Sequence, residues 1–223
     1  MRKTSKILLI VISLVLVLIT LTGCGNNTTN NTENNTENNT ENNTESQTAK
    51  EAIARGTIDA NNVYTSEFAG IKFTLPEGWA YSTDEQIASM MNVGVEVLKD
   101  QKDNLSEILE QTALYDMVAN DQTNGTSVMV MFEKSLLNVN EEFYLNNLKK
   151  GLESVTELDY QISGEITTET VGGKEYKVLT ATVPAYNMVQ KYYVVKKGDY
   201  FVDILVTYID GVADLNAVLA NFQ

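Results

Sequence analysis

Histidine is absent from all 223 residues, cysteine occurs once, at Cys24, and basic residues are scarce, sixteen Lys and Arg against thirty Asp and Glu. Without histidine there can be no Ser-His-Asp or Cys-His catalysis, no His-containing zinc site and no haem held by His. A single cysteine leaves nothing to form a disulfide within the chain. Any enzyme built here would have to run on carboxylates, Lys, Tyr or an oxygen-ligated metal. The charge balance of −14 repels nucleic acid and anionic membrane surfaces. Lys149-Lys150 and Lys196-Lys197 are short basic pairs, read as solvated ends.

What is present begins with a leader. Arg2, Lys3 and Lys6 form a positive head, Ile7 to Thr22 is a run of sixteen uncharged residues, and Gly23, Cys24 and Gly25 follow. Positive head, apolar core and small-residue cleavage site describe a secretory signal peptide. Sixteen residues fall short of the ~20 that span a bilayer, although an uncleaved segment could tilt or thin the membrane to fit. Leu21-Thr22-Gly23-Cys24 resembles the bacterial lipoprotein signal, in which Leu, a small residue, Gly and Cys occur in that order. The resemblance implies cleavage between Gly23 and Cys24 and a diacylglycerol thioether on the Cys24 sulfur. Two acyl chains hold a protein stably where one binds only reversibly.

Asn26 to about Thr48 is nearly all Asn, Thr, Glu and Ser, with Asn-Asn-Thr-Glu repeated four times from Asn30 to Glu45. It lacks apolar periodicity and is expected to be a disordered tether. The organisation expected is therefore residues 1–23 as leader, 24–50 as lipidated Cys and tether, and 51–223 as one domain. Loss of the leader's three basic residues leaves thirteen against thirty, a charge of −17.

From Asn61 the pattern is that of a folded domain. Gly70 to Leu75 alternates apolar and polar, and Pro76-Glu77-Gly78 turns the chain. Thr83 and Gln86 form a capping box opening a helix, and a second helical piece runs from about Asn104 to Gln111. Leu114 to Asn120 and Ser127 to Glu133 flank Asn124-Gly125, a hairpin signal. In the second run Val128, Val130 and Phe132 face one way and Met129 and Met131 the other, so both faces of the sheet are covered. Asn140 caps a helix through Leu152. Four strand-like runs follow, Tyr160 to Thr170, Lys174 to Val183, Met188 to Lys196 and Tyr200 to Tyr208, and a helix over about 212–222 closes the chain. In the last strand Tyr200, Val202, Ile204, Val206 and Tyr208 are expected to face inward. The expected class is α+β, a mostly antiparallel sheet with helices packed on both faces.

Gly70-Ile71-Lys72-Phe73-Thr74-Leu75-Pro76-Glu77-Gly78-Trp79, followed by helix, hairpin, helix and a Tyr-rich meander, resembles the PsbP-like fold. That superfamily includes an extrinsic photosystem II protein, a Ran-binding import factor and many bacterial lipoproteins. The resemblance covers residues 62–222 and implies a binding role, with no functional residues carried over.

Several features are candidate sites. Asn120-Asp121-Gln122-Thr123-Asn124-Gly125 has the oxygens and sixth-place Gly of an EF-hand start, but Met131 stands where a bidentate Glu belongs, so it reads as a hairpin turn. Asp116 and Asp203 sit inside apolar strands: as neighbours they would make a carboxylate pair for hydrolysis, and otherwise each points to solvent or meets a Lys. Tyr160, Tyr176, Tyr186, Tyr192, Tyr193, Tyr200 and Tyr208 would suit a carbohydrate, peptide or protein partner if exposed, although strand propensity accounts for most of them. Trp79 is read as a plug under the first helix.

The expectation is a membrane-anchored extracytoplasmic lipoprotein that binds an envelope protein, peptide or glycan, without cofactor, metal, nucleic acid or catalytic residues. Its membrane attachment is Cys24. The alternatives are a carboxylate-dependent envelope hydrolase or a small solute-binding lipoprotein of a transporter, the latter disfavoured by the lack of a second lobe.

Overall fold

The structure, a computed structural model, describes residues 53–100, 105–109, 113–135 and 138–223. The leader, Gly23, Cys24 and the tether lie outside the described residues.

Two antiparallel sheets organise the domain. The small one contains β1 (Thr57–Ile58), β2 (Val63–Ser66) and β3 (Ile71–Thr74) in that order. The large one holds β4 (Trp79–Tyr81), β5 (Leu114–Asp121), β6 (Ser127–Lys134), β7 (Gln161–Ile162), β8 (Thr167–Val171), β9 (Lys174–Val183), β10 (Met188–Lys197) and β11 (Tyr200–Ile209). Its order is β4-β5-β6-β11-β10-β9, with β7 and β8 end to end along the outer edge of β9. The strand expected over Tyr160 to Thr170 is thus two short strands, broken between Ser163 and Ile166.

Local chemistry sets the helix starts. Thr83 accepts from the Gln86 amide while Gln86 reaches back to the Thr83 amide, so α1 (Asp84–Met91) opens on a full capping box. Asn140 accepts from the Phe143 amide and opens α4 (Glu141–Glu153). Between them lie α2 (Val95–Asp100), which the sequence reading missed, and α3 (Ser106–Leu109), inside the span expected over 104–111. The last helix, α5 (Leu215–Leu219), is shorter than expected.

Alternation places Phe201, Asp203, Leu205 and Thr207 on one face of β11, and Tyr200, Val202, Ile204 and Val206 on the other; all eight are buried. The strand therefore has two inward faces, not the single one expected. On the first face α4 lies across the sheet, with Tyr144 stacked on Phe201 at 4.4 Å between centroids. On the second, Phe68 from the β2–β3 turn meets Phe132 and Tyr200 edge-on at 5.1 and 5.8 Å. The class is α+β with helices packed on an antiparallel sheet. The layer over Phe132 and Tyr200 comes from the small sheet, whose Tyr64, Ile71 and Phe73 give it an apolar face of its own, and α1 packs beside it against β5.

Candidate functional site

A cleft of about 500 Å³ opens beside β5, within the size range of small-molecule sites. One wall is the strap Ala54–Ile58, close to the start of the described residues; the others come from β2, α1 and α2, with Tyr81 and Ser82 also lining it. Ile87, Leu98, Met117 and Val118 supply an apolar floor. The polar side is built on Asp116.

Between Tyr115 and Met117 the β5–β6 register slips, and this bulge holds Asp116 out of the ladder. Its carboxylate accepts from the Gly56 amide at 2.9 and 3.1 Å and from the Tyr64 hydroxyl at 2.5 Å. Arg55 Nε stands 3.6 Å from Asp116 Oδ1, an ion pair beyond hydrogen-bond reach. Its Nη1 donates to Asp84 Oδ1 at 2.8 Å and its Nη2 to the Asp116 carbonyl at 3.3 Å. Gly56 is required by contact: a Cβ there would lie 2.2 Å from the Tyr64 ring and 2.8 Å from Asp116 Oδ2. Burial pushes the Asp116 carboxyl above the usual carboxylate range, against the pull of Tyr64, Gly56 and Arg55. Burial and the adjacent Asp116 charge raise the Tyr64 hydroxyl well above its usual value.

Asp203 lies elsewhere, on the face under α4, flanked by different groups. It pairs with Met131 across β6, and Glu133 is its diagonal neighbour on the same face. Its side chain is buried, and among the described residues Oδ1 has no hydrogen-bond partner. Burial and then the Glu133 charge push its carboxyl well above the usual range. Glu133 is raised by burial and accepts from the Tyr144 hydroxyl of α4 at 2.9 Å.

The proposed Asp116–Asp203 pair is therefore not formed, which removes the hydrolytic site built on it. The plainer expectation also needs correction: neither side chain points to solvent and neither meets a Lys. Asp116 takes Arg55, and the titrating neighbour of Asp203 is another carboxylate.

The Asn120–Gly125 turn is closed on itself. Asp121 accepts from the Thr123 amide, the Thr123 hydroxyl and Asn124, while Asn124 accepts from the Thr126 amide. Among the described residues no group of three or more acidic, Cys or His side chains could hold a metal ion. Tyr176, Tyr192, Tyr193 and Tyr200 are core residues, Tyr160 and Tyr208 are half-buried, and Tyr186 is exposed. Trp79 does not sit under α1; its ring meets Phe73 at 6.3 Å and lines a smaller groove of about 230 Å³ with Pro76 and Val212.

Arg55, Gly56, Tyr64 and Glu133 were not singled out from the sequence. Arg55 carried the one usable signal, as the single arginine after Arg2 in a chain that otherwise uses lysine.

Among the described residues no helix is long and apolar enough to cross a membrane. No protein-family model matches the chain, and no curated protein does. Among solved structures it is similar to cyanobacterial PsbP (CyanoP) from Synechocystis sp. PCC 6803, at 12% identity and a TM-score of 0.44. That match covers 78% of this chain and 94% of the other. The likeness is weak and partial, and it transfers no ligand and no residue role.

Proposed function

We propose that this chain is an extracytoplasmic lipoprotein whose α+β domain is a non-catalytic binding or accessory module, with the cleft beside Asp116 as its ligand site. The leader is cut between Gly23 and Cys24, the lipid on Cys24 fixes the chain to the membrane, and the polar tether holds the domain away from it. The partner is an envelope protein, peptide or glycan. Nucleic acid is a poor match for a mature chain carrying −17.

The observation that carries the reading is the cleft itself, a preformed concavity with an apolar floor and a fixed polar wall. Its carboxylates also argue for binding over hydrolysis. Asp116 is committed to Gly56, Tyr64 and Arg55, and Asp84 to Arg55, so neither is placed as a free acid or nucleophile.

Photocrosslinking in intact cells tests it. A photoreactive residue at Glu67, which lines the cleft, is expected to give a discrete adduct; one at Tyr186, which does not line it, is not. Equal labelling from both positions, or none from Glu67, would count against the cleft.

A further inference from the structure

A buried carboxylate oxygen without a hydrogen-bond partner is costly; among the described residues Asp203 Oδ1 has none, and Asp203 stands in the middle of the sheet with a second carboxylate on its diagonal. The titratable groups that face it come from the described elements around it: Tyr115 of β5, Glu133 of β6, Tyr192 of β10 and Tyr144 of α4. Two cations share the face but are engaged elsewhere: Lys196 of β10, on the other diagonal, donates to Asn138 Oδ1 and the Val139 carbonyl, and Lys177 of β9 pairs with Glu142 of α4. Tyr192 is engaged with Gln190 at 3.0 Å, Tyr144 donates to Glu133, and the buried Tyr115 hydroxyl has no partner among the described residues. The seam therefore accommodates one negative charge, on Glu133 beneath Tyr144, and has no partner for a second. A protonated Asp203 is neutral and compatible with its surroundings; an ionised one faces the Glu133 charge across the sheet.

We propose that the Glu133–Asp203 pair is a proton-operated catch under α4, which seats the helix on the sheet while Asp203 holds its proton and loosens it when that proton leaves. Tyr144 links the pair to the helix, through its bond to Glu133 and its stack on Phe201. Loosening α4 would uncover the strip of Leu179, Tyr192, Phe201 and Leu205 on that face, an apolar surface with Gln190 and Thr207 at one end. The device is independent of the cleft, which lies beside the β5 bulge and involves neither carboxylate of this pair.

The sign follows from linkage. Burial and the Glu133 charge raise the folded-state affinity of Asp203 for its proton. Its stabilising contribution is complete below the usual aspartate value, then declines as pH rises until the raised folded value is passed. Within that window one proton is released on opening, so the opening constant of α4 grows about tenfold per pH unit and is level above it.

Amide hydrogen exchange across Phe143–Leu152 in the full chain, from pH 5 to 9 and corrected for intrinsic rates, reads this constant. The wild type is expected to show the rise and Asp203→Asn to abolish it. Glu133→Gln keeps an acceptor for Tyr144 but removes the neighbouring charge, so the rise should level off at a lower pH than in wild type. A level wild-type profile, or a slope that survives in Asp203→Asn, overturns the proposal. If Asp203→Asn does not fold at pH 5, Glu133→Gln decides alone, and an unmoved plateau overturns it.

Discussion

Asp116 is buried because three groups from elsewhere in the chain converge on it, the Gly56 amide, the Tyr64 hydroxyl and the Arg55 guanidinium. Removing one member of such a set leaves the others buried and unpaired, which costs more than the pair contributes net. Asp116→Ala should therefore lower the unfolding free energy by about 3–5 kcal/mol, measured by chemical denaturation. Gly56→Ala tests the same wall by contact instead of charge. Its new methyl would have to displace the Tyr64 ring, an overpacking cost of roughly 1–3 kcal/mol. A neutral Gly56→Ala would mean that the strap is not seated as described.

The elements were readable wherever their signals were local. Thr83 with Gln86, and Asn140, mark helix starts through bonds that span three residues, and the structure has both. Asn140→Ala should cost about 1 kcal/mol, with a matching rise in exchange at the first turn of α4. The hairpin of β5 and β6 was equally plain from alternation on either side of Asn124-Gly125. What failed was long-range. Nothing near Asp116 announces a bulge, since the register shift is defined by the β6 partners that β5 meets. The division into two sheets was hidden for the same reason: β3 reads as an ordinary alternating strand, and only its pairing with β2 separates it from β4. Apolar residues on both sides of β11 concealed which face takes α4 and which takes the small sheet. The site was legible only as two odd carboxylates, Asp116 and Asp203; their partners lie 60 and 70 residues away along the chain, at Gly56 and Glu133. Strand pattern says nothing about such distances.

At the scale of the molecule, the three buried carboxylates act in one direction. Asp116, Glu133 and Asp203 are all raised by burial, so each contributes stability that is complete below the usual carboxylate value and declines as pH rises through its folded value. Thermal unfolding is accordingly expected at a higher temperature at pH 5 than at pH 8. The net charge of −14 adds to that trend, because partial protonation relieves self-repulsion.

In the lipoprotein proposed here, residues 24–50 would set the reach of the domain from the membrane. If that segment is the disordered tether its composition predicts, its end-to-end distance would be about 25–30 Å, enough to lift the domain clear of the headgroups. In sequence it precedes the strap, which forms one wall of the cleft. The most direct measurement is the mass of the mature N-terminal peptide from a membrane fraction, alongside Cys24→Ser. The expected result is a chain that begins at Cys24 with a diacylglycerol thioether, and a Cys24→Ser variant that is released or left as uncleaved precursor. A chain found in the cytosol with its leader intact and a free thiol at Cys24 would contradict it.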